Sequence, residues 1–169
     1  EAMKIVIKRI PEACLILAST HTTKTPTGEI DGHNVDGFIK LFGLENHVIM
    51  PKSKDNKPLP DDVLNLQYNL ADVNVLSSFG EGFGLSVTEA GAAGVPSIGP
   101  DHAATTEVIG DRGLLVKPSA YIYSANGSRQ CAITPEDLAI QIIKLLLDDK
   151  LRTELGEKAQ IYAKNLAPQ

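Results

Sequence analysis

Short apolar runs rich in β-branched residues alternate with amphipathic stretches along most of the chain. This alternation predicts βαβ units and a parallel sheet. The strand-like runs fall at residues 14–19, 47–50, 73–77, 95–98 and 113–116. Helical patterns occupy about 34–42, 61–70, 84–93 and 103–109, one in each gap, and two further helices, about 135–148 and 150–165, follow. Residues 1–10 contain Ile5, Val6 and Ile7, a run too short for periodicity to assign, and helix closed by Pro11 is the reading adopted. At Thr134-Pro135-Glu136-Asp137 a capping threonine, a proline at the first helical position and two acids at the positive end of the helix dipole mark a helix start. Leu138, Ile142, Leu145 and Leu146 then recur at helical spacing, so one face packs on the sheet while Lys144 and Asp148 face water. Residues 20–33 and 117–133 read as long loops, with Asn126-Gly127-Ser128 as a turn.

Composition narrows the class. The 169 residues, 43% of them hydrophobic and 22% charged, suit one soluble domain over residues 1–169, and the alternation above makes it an α/β fold with a parallel sheet flanked by helices. Sixteen basic against twenty-one acidic residues give a formal net charge of −5, and without a Lys/Arg block no nucleic-acid partner is expected. Cys14 and Cys131 lie far apart and form neither a C-x-x-C pair nor a disulfide framework, which makes a reducing, cytoplasmic setting the expectation. No apolar stretch approaches the ~20 residues that span a bilayer.

The chemistry concentrates between Ser77 and Ala90. Here the strand-like run at Val73 to Leu76 passes through Gly80, Gly82 and Gly84 into a helix. Alternate glycines let the backbone turn tightly and approach a ligand, and the helix end offers N–H groups and a positive dipole to an anion such as phosphate. Glu81 lies within the turn and Glu89 four residues after Leu85, on the same helical face. A carboxylate accepts two hydrogen bonds side by side, so either acid suits neighbouring sugar hydroxyls such as a ribose 2′,3′-diol. A tight turn without a ligand, bearing two solvated acids, fits the same residues.

The stretch from Ala71-Asp72-Val73 through Ser77-Ser78, Glu81-Gly82-Phe83-Gly84-Leu85, Glu89-Ala90 and Gly94-Val95-Pro96 resembles the family-4 (group 1) retaining glycosyltransferases of GT-B fold. The flanks agree: Leu44-Glu45-Asn46-His47-Val48-Ile49 is similar to the family's strand before the base-binding loop, and Glu107-Val108-Ile109 through Val116 to its next βα unit. The resemblance spans residues 1 to about 165. It implies the C-terminal, nucleotide-sugar-binding domain, a single Rossmann-like domain with a parallel sheet flanked by helices over residues 1–169, with the Glu81 and Glu89 pair as the family's E-x7-E motif.

By this resemblance, Glu81 is the catalytic-site acid that meets donor-sugar hydroxyls. Backbone N–H groups of Gly82, Phe83, Gly84, Leu85 and Ser86 meet the sugar and distal phosphate, Glu89 holds the ribose, and the loop Met50-Pro51-Lys52 lies against the nucleobase. Residues 19–21 border the phosphates. The implied substrate is a nucleotide-activated sugar of unassigned base, with no cofactor and no metal. The acceptor falls to an N-terminal domain outside these residues, which leaves room for peripheral membrane association through that domain. The family's phosphate-binding Arg and Lys come from a strand and loop upstream of its first helix, where this sequence begins. Ala103-Ala104 stands where the family usually has paired glycines.

The remaining candidates are weaker. His102 follows a strand-like run and could serve as a base, but lacks a partnering acid, and a loop histidine is the reading adopted. His21, His33 and His47 show no metal-ligand spacing. Other GT-B nucleotide-sugar enzymes, an epimerase or a phosphorylase, would share the residues above. An NAD-binding Rossmann domain would need a small residue where Leu85 stands.

Overall fold

In the computed structural model, the structure describes residues 1–17, 23–24, 30–31, 34–51 and 59–166. The chain forms two compact units, Glu1–Leu64 and Asn65–Gln169.

In the first unit α1 (Ala2–Arg9) precedes β1 (Leu15–Ile16), as the reading of residues 1–10 anticipates. A short antiparallel pair, β2 (Thr23–Lys24) and β3 (Ile30–Asp31), follows. Next come α2 (Val35–Leu41), capped by the Asn34 side chain on the Gly37 N–H, and β4 (Val48–Ile49). β4 runs parallel to β1, with Leu15 opposite Val48 and Ile16 opposite Ile49. His47 Nδ1 lies 3.0 Å from the Ala13 carbonyl, a structural tie between the segments leading into these strands.

The second unit opens within α3 (Asp61–Leu70) and is built on three parallel strands in the order β5 (Asn74–Val75), β6 (Ser97–Pro100), β7 (Gly113–Val116). β6 is central and all four of its residues are buried, as a strand covered on both faces must be. Between the strands run α4 (Leu85–Ala92) and α5 (Ala104–Ile109), and a 3₁₀ turn (Gly110–Arg112) leads into β7. α6 (Pro135–Leu147) begins as its sequence requires, the Thr134 hydroxyl accepting from the Asp137 N–H at 3.0 Å, and α7 (Asp149–Leu166) follows. Val87, Val108 and Ile109 form a buried cluster with Leu76, Leu115 and Tyr162 against it. Among the described residues no helix is long and apolar enough to cross a membrane.

Two expectations are corrected, both for stretches read as long loops, and the first is residues 20–33, which contain the antiparallel pair of β2 and β3. Residues 117–133 are not a loop but an antiparallel hairpin, β8 (Ala120–Tyr123) and β9 (Arg129–Ala132), with Tyr121 opposite Cys131 and Tyr123 opposite Arg129. Asn126-Gly127 is the turn, as read, with Gly127 at φ +82°.

Glycines set the closest contacts. A Cβ at Gly156 in α7 would overlap the Gly94 carbonyl, one at Gly91 in α4 would lie 3.0 Å from the Ala159 carbonyl, and one at Gly113 would overlap the Ser97 carbonyl. Alanine at position 156 would gain about 1 kcal/mol of helix propensity, but forcing backbone away from backbone in a packed interior costs about 1–3 kcal/mol or more. Gly156→Ala is therefore expected to lower stability by about 2 kcal/mol, read as a lower urea midpoint at unchanged slope. A midpoint at or above the parent's would show that α7 does not pack on the Gly94 turn.

Candidate functional site

β5, β6 and β7 run parallel, so their C-terminal ends share one edge, the edge at which ligands bind in open α/β sheets. From β5 the chain passes Ser77 to Gly84 into α4. Gly84 is buried, takes the left-handed conformation (φ +90°, ψ +61°) that a side chain would strain, and occupies the N-cap without a capping side chain. The Val87 N–H turns back to the Gly84 carbonyl at 3.0 Å, leaving the leading N–H groups at Leu85 and Ser86 without a side-chain acceptor. This is an electropositive helix end.

The two acids bracket it. Glu81 is half-buried in the turn and makes no hydrogen bond or ion pair among the described residues. Glu89 is exposed on α4, about 6 Å along the axis from Leu85 at ~1.5 Å per residue. A phosphate at the helix end would thus have one carboxylate before it in the chain and one about a turn beyond it. Phe79, Phe83 and Leu85 are exposed around the turn and Gly82 is open. The structure therefore brings Glu81, Gly82, Phe83, Gly84, Leu85, Ser86 and Glu89 together on one segment. Met50 and Pro51 follow β4 in the first unit, half-buried. Lys52 and residues 19–21 lie outside the described residues.

Sequence reasoning missed three neighbours. The first is Tyr68 on α3, whose hydroxyl donates to Glu89 Oε2 at 2.9 Å. Burial, then the hydrogen bond and negative charge of Glu89, push the Tyr68 phenol well above its ordinary value, so it remains a donor. The second is the hairpin: the Cys131 N–H donates to the Phe79 carbonyl at 2.8 Å, joining β9 to the glycine turn. The Asn126-Gly127 turn was its one sequence signal. The third is the environment of His102, which is a loop histidine, as read, but a buried one. Its Nε2 lies 3.0 Å from the Arg129 carbonyl, its ring meets Tyr121 edge-on at 5.6 Å, and the Arg129 guanidinium covers the Tyr121 ring at 4.5 Å. A Cβ at Gly80 would touch the His102 ring at 3.9 Å. His102 is thus a strut joining the β6–α5 loop, the glycine turn and the hairpin.

Ala103 departs from ordinary backbone geometry. Its φ of +52° with ψ −139° belongs to a region that L side chains avoid. Thr105, donating at 2.5 Å to the Pro100 carbonyl from the first turn of α5, fixes the loop around it.

The sequence matches the family described as glycosyl transferases group 1 over residues 1–162. The chain belongs to that family. Among curated proteins it is 41% identical over 61 residues to the O-antigen chain mannosyltransferase B of Escherichia coli (36% of this chain, 16% of that one). It is 32% identical over 108 residues to the D-inositol 3-phosphate glycosyltransferase of Corynebacterium jeikeium strain K411 (63% and 22%). The chain thus spans about a quarter or less of the length of these relatives. In fold it is similar to the C-terminal domain of a glycosyl transferase group 1 family protein from Francisella tularensis, with TM-score 0.70 and 21% identity over 98% of this chain and 75% of that one. A protein from Anabaena solved in complex with UDP and glucose aligns at TM-score 0.59 and 21% identity over 77% and 30% of the two chains. The GT-B Rossmann-like expectation is met.

Relieving the Ala103 strain is worth about 1–3 kcal/mol, against about 0.5–1 for the added chain entropy of glycine. Ala103→Gly is therefore expected to raise stability by about 1 kcal/mol and the melting temperature by about 2–4 °C, measured by thermal denaturation. A lower melting temperature would show that this backbone is relaxed with alanine.

Proposed function

We propose that the chain is the donor-binding domain of a retaining, metal-independent glycosyltransferase, which transfers a sugar from a nucleoside-diphosphate sugar to an acceptor. The observation that carries this reading is the pair Glu81 and Glu89 placed on either side of an uncapped helix end reached through a left-handed glycine. Family membership and the likeness to part of a protein crystallised with UDP and glucose support it.

The division of labour follows from the chemistry of each group. N–H groups between Gly82 and Ser86, with the dipole of α4, take the phosphate nearest the sugar and stabilise the charge that grows on it as the glycosidic bond breaks. Glu81 accepts hydrogen bonds from donor-sugar hydroxyls. Glu89 accepts from the ribose diol. The loop at Met50, Pro51 and Lys52 is assigned to the nucleobase by the family resemblance alone. The acceptor belongs to a separate domain of the kind the family carries, so the 169 residues bind donor without sustained transfer by themselves.

Calorimetric titration with UDP, GDP, ADP and NAD tests the assignment. One diphosphate is expected to bind and NAD to bind less well. Losing a charged hydrogen-bond partner costs about 1.5–3 kcal/mol, so Glu89→Ala should weaken the diphosphate roughly ten- to a hundredfold. Glu81→Ala should leave the diphosphate nearly unaffected and reduce the extra affinity of the matching nucleotide sugar. A Glu89→Ala protein that binds like the parent would overturn the ribose assignment, and preference for NAD would favour a dinucleotide-binding domain.

A further inference from the structure

Glu89 is exposed on α4, and a glutamate there is free to sample several rotamers unless something holds it. What holds it is Tyr68, 21 residues earlier on α3. The phenol is half-buried, its hydroxyl sits 2.9 Å from Oε2, and Oε1 accepts no hydrogen bond among the described residues. Because the hydroxyl stays protonated, the interaction is a neutral donor on a charged acceptor and is stronger than a neutral pair.

We propose that Tyr68 is a positioning residue for the donor site: it fixes the Glu89 carboxylate so that Oε1 and the second lone pair of Oε2 are presented to a ribose 2′,3′-diol. This rests on the assignment of Glu89 to the ribose. Holding the carboxylate before the ligand arrives removes part of the ordering cost that binding would otherwise carry. The sequence hides this role, because a tyrosine at helical spacing in 61–70 reads as packing. Tyr68 touches no ligand in this account and acts only through Glu89.

Tyr68→Phe keeps the ring and removes the hydroxyl. The parent, Tyr68→Phe, Glu89→Ala and the double variant are titrated with UDP, GDP and ADP, and with the 2′-deoxy form of whichever binds. Tyr68→Phe is expected to weaken the ribonucleotide about three- to tenfold, to weaken the 2′-deoxy form less, and so to reduce discrimination between them. In the Glu89→Ala background it should change nothing, since the pair acts as a unit. Parent-like binding by Tyr68→Phe, equal weakening of both nucleotides, or an effect that persists without Glu89 would overturn the inference while leaving the ribose assignment intact. If Glu89→Ala itself binds like the parent, or none of the three diphosphates binds, the ribose assignment falls and this inference with it.

Discussion

Gly113 and Gly156 have no room for a side chain, because the carbonyls of Ser97 and Gly94 occupy the space a Cβ would need. These two close backbone approaches set β7 against β6 and α7 against the turn that follows α4. Gly91 extends the second contact along α4, and the Gln160 side chain donates to the Ala92 carbonyl at the C-terminal end of that helix. α4 is thereby held by close backbone approach at its C-terminal half, in addition to the side-chain packing of Val87 against Val108, Ile109 and Tyr162. Its opposite end, at Gly84, is the end on which the donor-site reading depends.

The charges around Gly84 look contradictory for an anion site, since both titratable groups on the segment are acids. The separation resolves it. Backbone N–H groups at the helix end supply the positive field within the first turn, where it is strongest. Glu81 and Glu89 sit before that turn and beyond it, where the proposed donor would present hydroxyls instead of phosphate. Behind the turn, the hairpin and His102 brace the loop through backbone carbonyls, at Phe79 from β9 and at Arg129 from the ring. Ala103 holds a positive φ at the same edge. The loops at this edge are therefore fixed by side chains such as His102 and Thr105 acting on main-chain carbonyls, together with the main-chain bond from Cys131 to Phe79.

Strands and helices of the second unit were largely legible because strands such as Gly113–Val116 are short, apolar runs bounded by turn residues, and helices such as Pro135–Leu147 carry one apolar face, whereas the strand read at 95–98 is shifted to Ser97–Pro100. The acid pair was legible because its spacing is local. The hairpin was not, since Ala120, Tyr121, Ile122 and Tyr123 are all exposed and show no alternation of apolar and polar residues, and the facing strand Arg129–Ala132 buries only Cys131. Tyr68 and His102 escaped for a different reason. Their partners, Glu89 and the Arg129 carbonyl, lie 21 and 27 residues away, and no local pattern encodes contacts at that range.

Backbone amide chemical shifts, followed by NMR as a nucleoside diphosphate is added, test the central claim most directly. The account places the largest changes at Gly82 to Ser86, with smaller ones at Tyr68 and Glu89. Little change is expected at the far end of the strands, in the roughly 370 Å³ groove lined by Asp72, Gly94, Arg152 and Glu157. Saturable shifts centred on that groove, with the glycine turn unmoved, would contradict the account and move the ligand to the other end of the sheet.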